Sequence, residues 1–177
     1  MKSQSLAMIA AVTLATTAAN AHADDTMNDL EIAHAAYTAD AIDIRYGHLA
    51  LAISEDDAVR SFAETMIRDH TAVNLAAGEL LAELNVSPQD NALSRSLLDG
   101  AAAKRAELIA LTGREFDCAY ALNELGYHQV VNATVADSFI PAVTVAPLRT
   151  LLTDALATFR VHEAHAGQMV TALACAS

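Results

Sequence analysis

Three histidines and two acidic residues stand out by their apolar surroundings. His70 lies in the row Val59, Ala63, Met66, His70, Val73, Ala77, Leu80, Leu84, and His162 lies in the row Leu148, Leu152, Ala155, Phe159, His162, Ala166, Met169, Leu173. Alternating steps of three and four are the mark of a helix face turned to a core. A neutral imidazole there is costly unless its ring nitrogens find partners. His128 shares a helical face with Glu124 and Asp117, and Asp43 adjoins Ile42 in a third row, Ile32, Ala35, Ala39, Ile42, Tyr46, Leu49, Ile53. Three imidazoles and a carboxylate suit a borderline cation such as zinc, iron or copper. One reading is therefore a metal site of His70, His128 and His162 with Asp43 or Glu124. The other is a metal-free, hydrogen-bonded cluster of His, Tyr and Asp. In the metal reading, neighbours such as Glu124 or Tyr120 hold the second nitrogen of each ring. Affinity then falls as pH drops through the ordinary histidine range near about 6.5.

Other candidates carry less. Glu31-x-x-His34 and His162-Glu163-Ala164-His165 look ligand-like, but the second spaces its histidines three apart where a zincin needs four. His34 and His48 lie off their helix seam and read as solvated surface, and Asp69 reads as a solvated or capping charge. No Gly-rich phosphate loop and no positioned Ser/His/Asp set is present. The second and fifth helices lack the paired E-x-x-H motifs of oxygen-activating di-iron bundles. The residues name no reaction.

The elements that must position these groups are helices. Asp25-Thr26 can cap a first helix through Asp29, and Ser54 a second with an acidic first turn, Glu55 to Asp57. Asn85 ends the second, and Ser87-Pro88 starts a third, Gln89 to Leu111, interrupted by Gly100. Thr112-Gly113-Arg114-Glu115 spells a stop and a capping box for a fourth, Arg114 to Ser138. Pro141 and Pro147 bound a loop before the fifth. Two long helices, a long connection and two more predict an all-α, ferritin-like four-helix bundle, with the third helix as crossover. The crossover makes helices two and four parallel. His70, 13 residues past Asp57, and His128, 15 past Gly113, then differ in height by about 3 Å. Asp43 and His162 come to the same layer by the same counting.

Composition narrows the classes. The chain has 177 residues and a net charge of −12, with 54% apolar residues. That charge opposes binding to nucleic acid and to anionic lipid, and the apolar fraction opposes disorder. Lys2, the apolar run Leu6 to Ala19 and the small-x-small triplet Ala21-His22-Ala23 read as a secretory signal peptide over residues 1–23. Residues 24–177 would then form one exported domain in the periplasm, with no membrane span and no evident protein partner. Cys118 and Cys175 are an even count for an oxidising compartment. Their heights on helices four and five are compatible, but regular helical stepping turns each away from its core seam, so the pairing stays open.

A resemblance follows from two segments. Phe62-Ala63-Glu64-Thr65-Met66-Ile67-Arg68-Asp69-His70 resembles the F-A-x-x-M-x-x-D-H motif of a bacterial exported family, domain of unknown function 4142. Gly113-Arg114-Glu115-Phe116-Asp117-Cys118-Ala119-Tyr120 is similar to that family's G-x-x-F-D-x-x-Y segment, and His128 and His162 match its later histidines. Asp43 stands where the family commonly has Glu. The resemblance implies export and a ferritin-like fold; members are often labelled outer-membrane proteins, and the family has no settled activity. A metal-binding bundle, for buffering or redox stress, and a metal-free structural or interaction bundle of the envelope both remain open.

Overall fold

In a computed structural model, which describes residues 26–175, the described residues outside short connections are helical. The expected signal peptide, with its cleavage after Ala23, lies outside these residues. The elements are α1 (Asp29–Ile53), α2 (Asp57–Glu83), α3 (Ala92–Ile109), α4 (Gly113–Thr134), a π-helical segment (Val135–Phe139), the short turn α5 (Ile140–Ala142) and α6 (Ala146–Ala172). None of these helices is long and apolar enough to cross a membrane.

The ends are set by local chemistry, which differs from the expected caps in several places. Asn28, not Asp25-Thr26, caps α1: its Oδ1 accepts from the Leu30 and Glu31 amides at 2.9 and 3.1 Å, and Glu31 Oε2 accepts from the Asn28 amide at 2.9 Å. This reciprocal box needs Glu at the third position. Asp29 is instead used across the fold, accepting from the amides of Thr144 and Val145 ahead of α6. Asp56 caps α2. Ser54 ends α1 and donates its hydroxyl to Asp117 of α4 at 2.5 Å. Asn91 caps α3, because residues 86–91 stay outside the helix, with the Gln89 amide on the Leu30 carbonyl at 3.0 Å. Gly100 does not interrupt α3. Thr112 precedes α4 without a side-chain cap bond. The fourth helix ends regular winding at Thr134 and gains a π turn, and Pro141 sits inside α5, so the loop before α6 shortens to Val143–Val145.

The helices form a bundle of two antiparallel pairs, α1 with α2 and α4 with α6. Helix α3 runs along α1 and carries the chain from the first pair to the second, which leaves α2 and α4 parallel as expected. The Tyr127 hydroxyl donates to the Ala39 carbonyl at 2.9 Å and ties α4 to α1. Two apolar cores result, one around Ile42, Val59, Met66, Phe116 and Met169 and one around Ile32, Leu81, Val135, Phe139 and Leu152. Between them lies a polar layer.

Cys118 and Cys175 are joined as a disulfide, with Cα atoms 5.4 Å apart. A continued helix would have turned Cys175 away. Ala174 instead adopts φ +46, and the Cys175 and Ala174 amides donate back to Val170 and Thr171. This left-handed C-terminal motif swings Cys175 round to α4. Asn85, with φ +54, ends α2 in the same way.

Two predictions follow from this packing. A Cβ on Gly47 would lie 2.8 Å from Ile67 Cγ1 and 3.0 Å from the Ala63 carbonyl, so α1 and α2 touch there through a missing side chain. Gly78 is exposed on α2 with nothing within 4 Å. Urea unfolding should show Gly47→Ala losing about 1–3 kcal/mol and Gly78→Ala gaining about 0.5–1 kcal/mol; equal effects of one sign would contradict the packing. Reduction of the disulfide, which closes a separation of 57 residues, should cost about 4 kcal/mol on the chain-entropy account. Two free thiols in denatured, unreduced native protein would contradict the pairing.

Candidate functional site

The polar layer holds all five expected residues. Asp43 and Glu124 are fully buried and His70, His128 and His162 nearly so, at 0, 0, 2, 1 and 1% exposure. Asp43, beside the apolar row of α1, reaches the interior because α1 packs on both α2 and α4, and His128 meets it from α4. The three rings form a near-equilateral triangle, with centroids 5.2–5.7 Å apart. One nitrogen from each ring lies within 4.8 Å of the other two, and donor atoms of Asp43, Glu124 and His128 form a second such set.

Each imidazole uses one nitrogen for support, and the second nitrogens of His70 and His128 face Asp43. His70 Nδ1 lies on Asp40 Oδ1 at 2.7 Å, His128 Nδ1 on the Glu124 backbone carbonyl at 2.9 Å, and His162 Nε2 on Asp69 Oδ2 at 3.0 Å. The remaining atoms, His70 Nε2, His128 Nε2 and His162 Nδ1, have no hydrogen-bond partner, and neither does either oxygen of Asp43. Asp43 Oδ2 is 2.9 Å from His70 Nε2 and 3.3 Å from His128 Nε2. These are ion-pair distances: one Asp43 oxygen is shared between the two ring nitrogens, with the Glu124 carboxyl beside it.

The supporting groups differ from those expected. Glu124 holds His128 through its backbone carbonyl, not its carboxylate, whose Oε2 is 4.0 Å away and unpartnered. The Tyr120 hydroxyl is buried and has no partner, so it steadies none of the rings. Asp69 is more than a solvated charge: it carries His162 on one oxygen and Arg68 Nε on the other at 2.7 Å. Asp40 was missed altogether. Its position three residues before Asp43 was the available signal, since that spacing puts two carboxylates on one face of α1. His48 and His165 are exposed, while His34 is half-buried with Nδ1 on Ser94 Oγ at 2.7 Å, not free surface. Glu163 accepts from Asn132 Nδ2 at 2.7 Å.

Electrostatics separates the three rings. Burial opposes charge on His70, but the carboxylates of Asp43 and Asp40 outweigh it and hold its pKa up at about 10. Burial dominates at His162, whose pKa falls to about 4 despite Asp69, and it lowers His128 as well. Asp43 is buried yet held down at about 2, chiefly by His70. Glu124 is pushed well up by burial and by the Asp43 charge beside it, a shift toward the neutral acid. Burial also raises Asp40, against the pull of His70, so the layer favours charge on His70 and the neutral forms of His128, His162 and Glu124.

A model of one protein family, "Domain of unknown function (DUF4142)", matches residues 14–169. The chain belongs to this family. The match spans every residue of the polar layer, and the DUF4142 segments noted in the sequence are those that carry His70 on α2 and begin α4. No curated protein and no solved structure matches the chain.

Histidine titration by NMR checks the electrostatics. With no metal added, His70 should keep its proton to about pH 10, while His162 should gain one only near pH 4. A raised pKa means that the His70 contribution to stability is complete below the unfolded value of about 6.5 and fades as pH rises through 10. A lowered one means that the His162 contribution is complete above about 6.5 and fades as pH falls toward 4. Asp40→Asn should bring the His70 value down. Three rings titrating together near the ordinary value would contradict this arrangement.

Proposed function

We propose that this protein binds one transition-metal cation, zinc, iron or copper, through His70 Nε2, His128 Nε2 and His162 Nδ1, with Asp43 as the anionic ligand and Glu124 beside it. One observation carries the reading. Three buried imidazoles on three helices each anchor one nitrogen to a carboxylate or carbonyl, and nitrogens of all three rings lie within 4.8 Å of one another, two of them at Asp43. Metal-ligating histidines are held in this way, since the outer hydrogen bond fixes the tautomer and raises basicity. Without an ion, His128 Nε2 and His162 Nδ1 stay without a hydrogen-bond partner, at about 1–3 kcal/mol each.

The setting we assign is the periplasm, and the role is holding or buffering a metal, or meeting redox stress. The leader pattern at residues 1–23 supports export, and the Cys118–Cys175 disulfide suits an oxidising compartment. The negative charge of the chain would draw cations toward it. The reading assigns no reaction.

A second reading has its own observation. The His70 imidazolium between Asp40 and Asp43 is a charge-paired unit that needs no ion. On that reading the layer is a structural device in an envelope bundle.

Calorimetric titration with zinc, iron(II), copper and manganese separates the two. One equivalent should bind, and His70→Ala or His162→Ala should abolish binding; no stoichiometric uptake by the unaltered protein leaves the structural reading. Asp40→Asn or Asp69→Asn, which loosen a ring without removing a ligand, should weaken binding by about 10–100-fold. The pH window also differs from the one expected of ordinary histidines. Because His70 holds a proton to about pH 10, a cation arriving at neutral pH must expel it. Titrations in buffers of different ionisation enthalpy should show about one proton released. Affinity should climb about tenfold per pH unit between neutrality and 10, and a flat profile above pH 7 would contradict the His70 assignment.

A further inference from the structure

The candidate centre does not use all of the interior beside it. A cavity of about 100 Å³ lies among α1, α2, α3, α4, the π-helical segment and α6, with the exposed Val130 at its rim. Its α1 wall consists of Ala35, Ala36 and Ala39. Single-carbon side chains leave the space open, and a leucine at any of these positions would reach into it. Val135 and Phe139 of the π-helical segment close one side, and such irregular turns in helices are frequent at functional sites.

Two contacts join the cavity to the polar layer. Phe159 forms part of its wall and stacks on the His70 ring, with centroids 4.6 Å apart. Asp40 also lines it, with one oxygen committed to His70 Nδ1. A smaller hollow of about 20 Å³ is lined by Asp40 as well. Thr134, the other polar residue of the wall, donates its hydroxyl to the Val130 carbonyl at 2.9 Å.

We propose that this cavity is a binding site, reached past Val130, for a small, uncharged, apolar molecule no larger than a single ring, seated against Phe159 and Asp40. Size and chemistry select that class. A dry apolar cavity of about 150 Å³ takes benzene or xenon, and this one is somewhat smaller. A water would need two to four polar partners, which the walls do not offer. A charged ligand would lose its hydration without return, and Asp40 repels an anion. The occupant touches both groups that orient His70, so its arrival is felt at that ring. The inference does not depend on cation binding.

The experiment is a titration of the full metal-free protein with xenon and with benzene, followed by methyl and histidine NMR and by thermal melting. Saturable shifts at the Ala39 and Leu97 methyls and the His70 ring, with a higher melting temperature in benzene, are expected. Ala36→Leu should abolish both responses, and Leu97→Trp fills the same space from α3 should the first variant fail to fold. Absence of saturable shifts in the unaltered protein would overturn the proposal, as would unchanged responses in a folded filling variant.

Discussion

The structure depends on how a helical bundle satisfies ionisable groups that it has taken out of water. Asp40, Asp43, His70, Glu124, His128 and His162 are all buried in one layer, and each would be costly alone. The layer is tolerable because its charges are paired and its rings are anchored. His70 lies between two carboxylates, His128 rests on its own helix, and His162 is held from the surface by Asp69. Replacement by apolar residues would often be neutral or stabilising, so the layer answers to something other than stability, and coordination chemistry fits its geometry.

The rest of the fold serves that layer. The crossover by α3 brings α2 and α4 parallel, so His70 and His128 reach one height. Apolar cores above and below clamp the layer between them. Near contact at Gly47 sets the α1–α2 distance on which the Asp43–His70 approach depends. Links between distant segments then fix the helix ends: Asp29 to Thr144 and Val145, Ser54 to Asp117, and Cys118 to Cys175.

The helix rows and the common height of the three histidines were legible in the sequence, because both follow from 3.6 residues per turn and 1.5 Å per residue. The seam of α6 from Leu148 to Met169 is buried at every expected position. Hydrogen-bond partners were not legible. Asp40 and Asp69 each hold a ring on another helix, and rotation of one helix about its axis relative to its neighbour is not written in either periodicity. The caps of α1, α2 and α3 lie two to four residues past the expected ones; Ser54 and Asp29 are capping residues by type but are spent on distant partners. The disulfide depended on a left-handed turn at an alanine, Ala174, where sequence carries no glycine to announce it.

X-ray absorption spectroscopy on the zinc-loaded protein tests the central claim most directly, because it reads the first coordination shell. The account predicts three imidazole nitrogens at about 2.0–2.1 Å and at least one carboxylate oxygen at about 2.0–2.2 Å, and no zinc retained in that shell when His70 or His162 is replaced. A shell made only of oxygen, or one unchanged by those replacements, would contradict it.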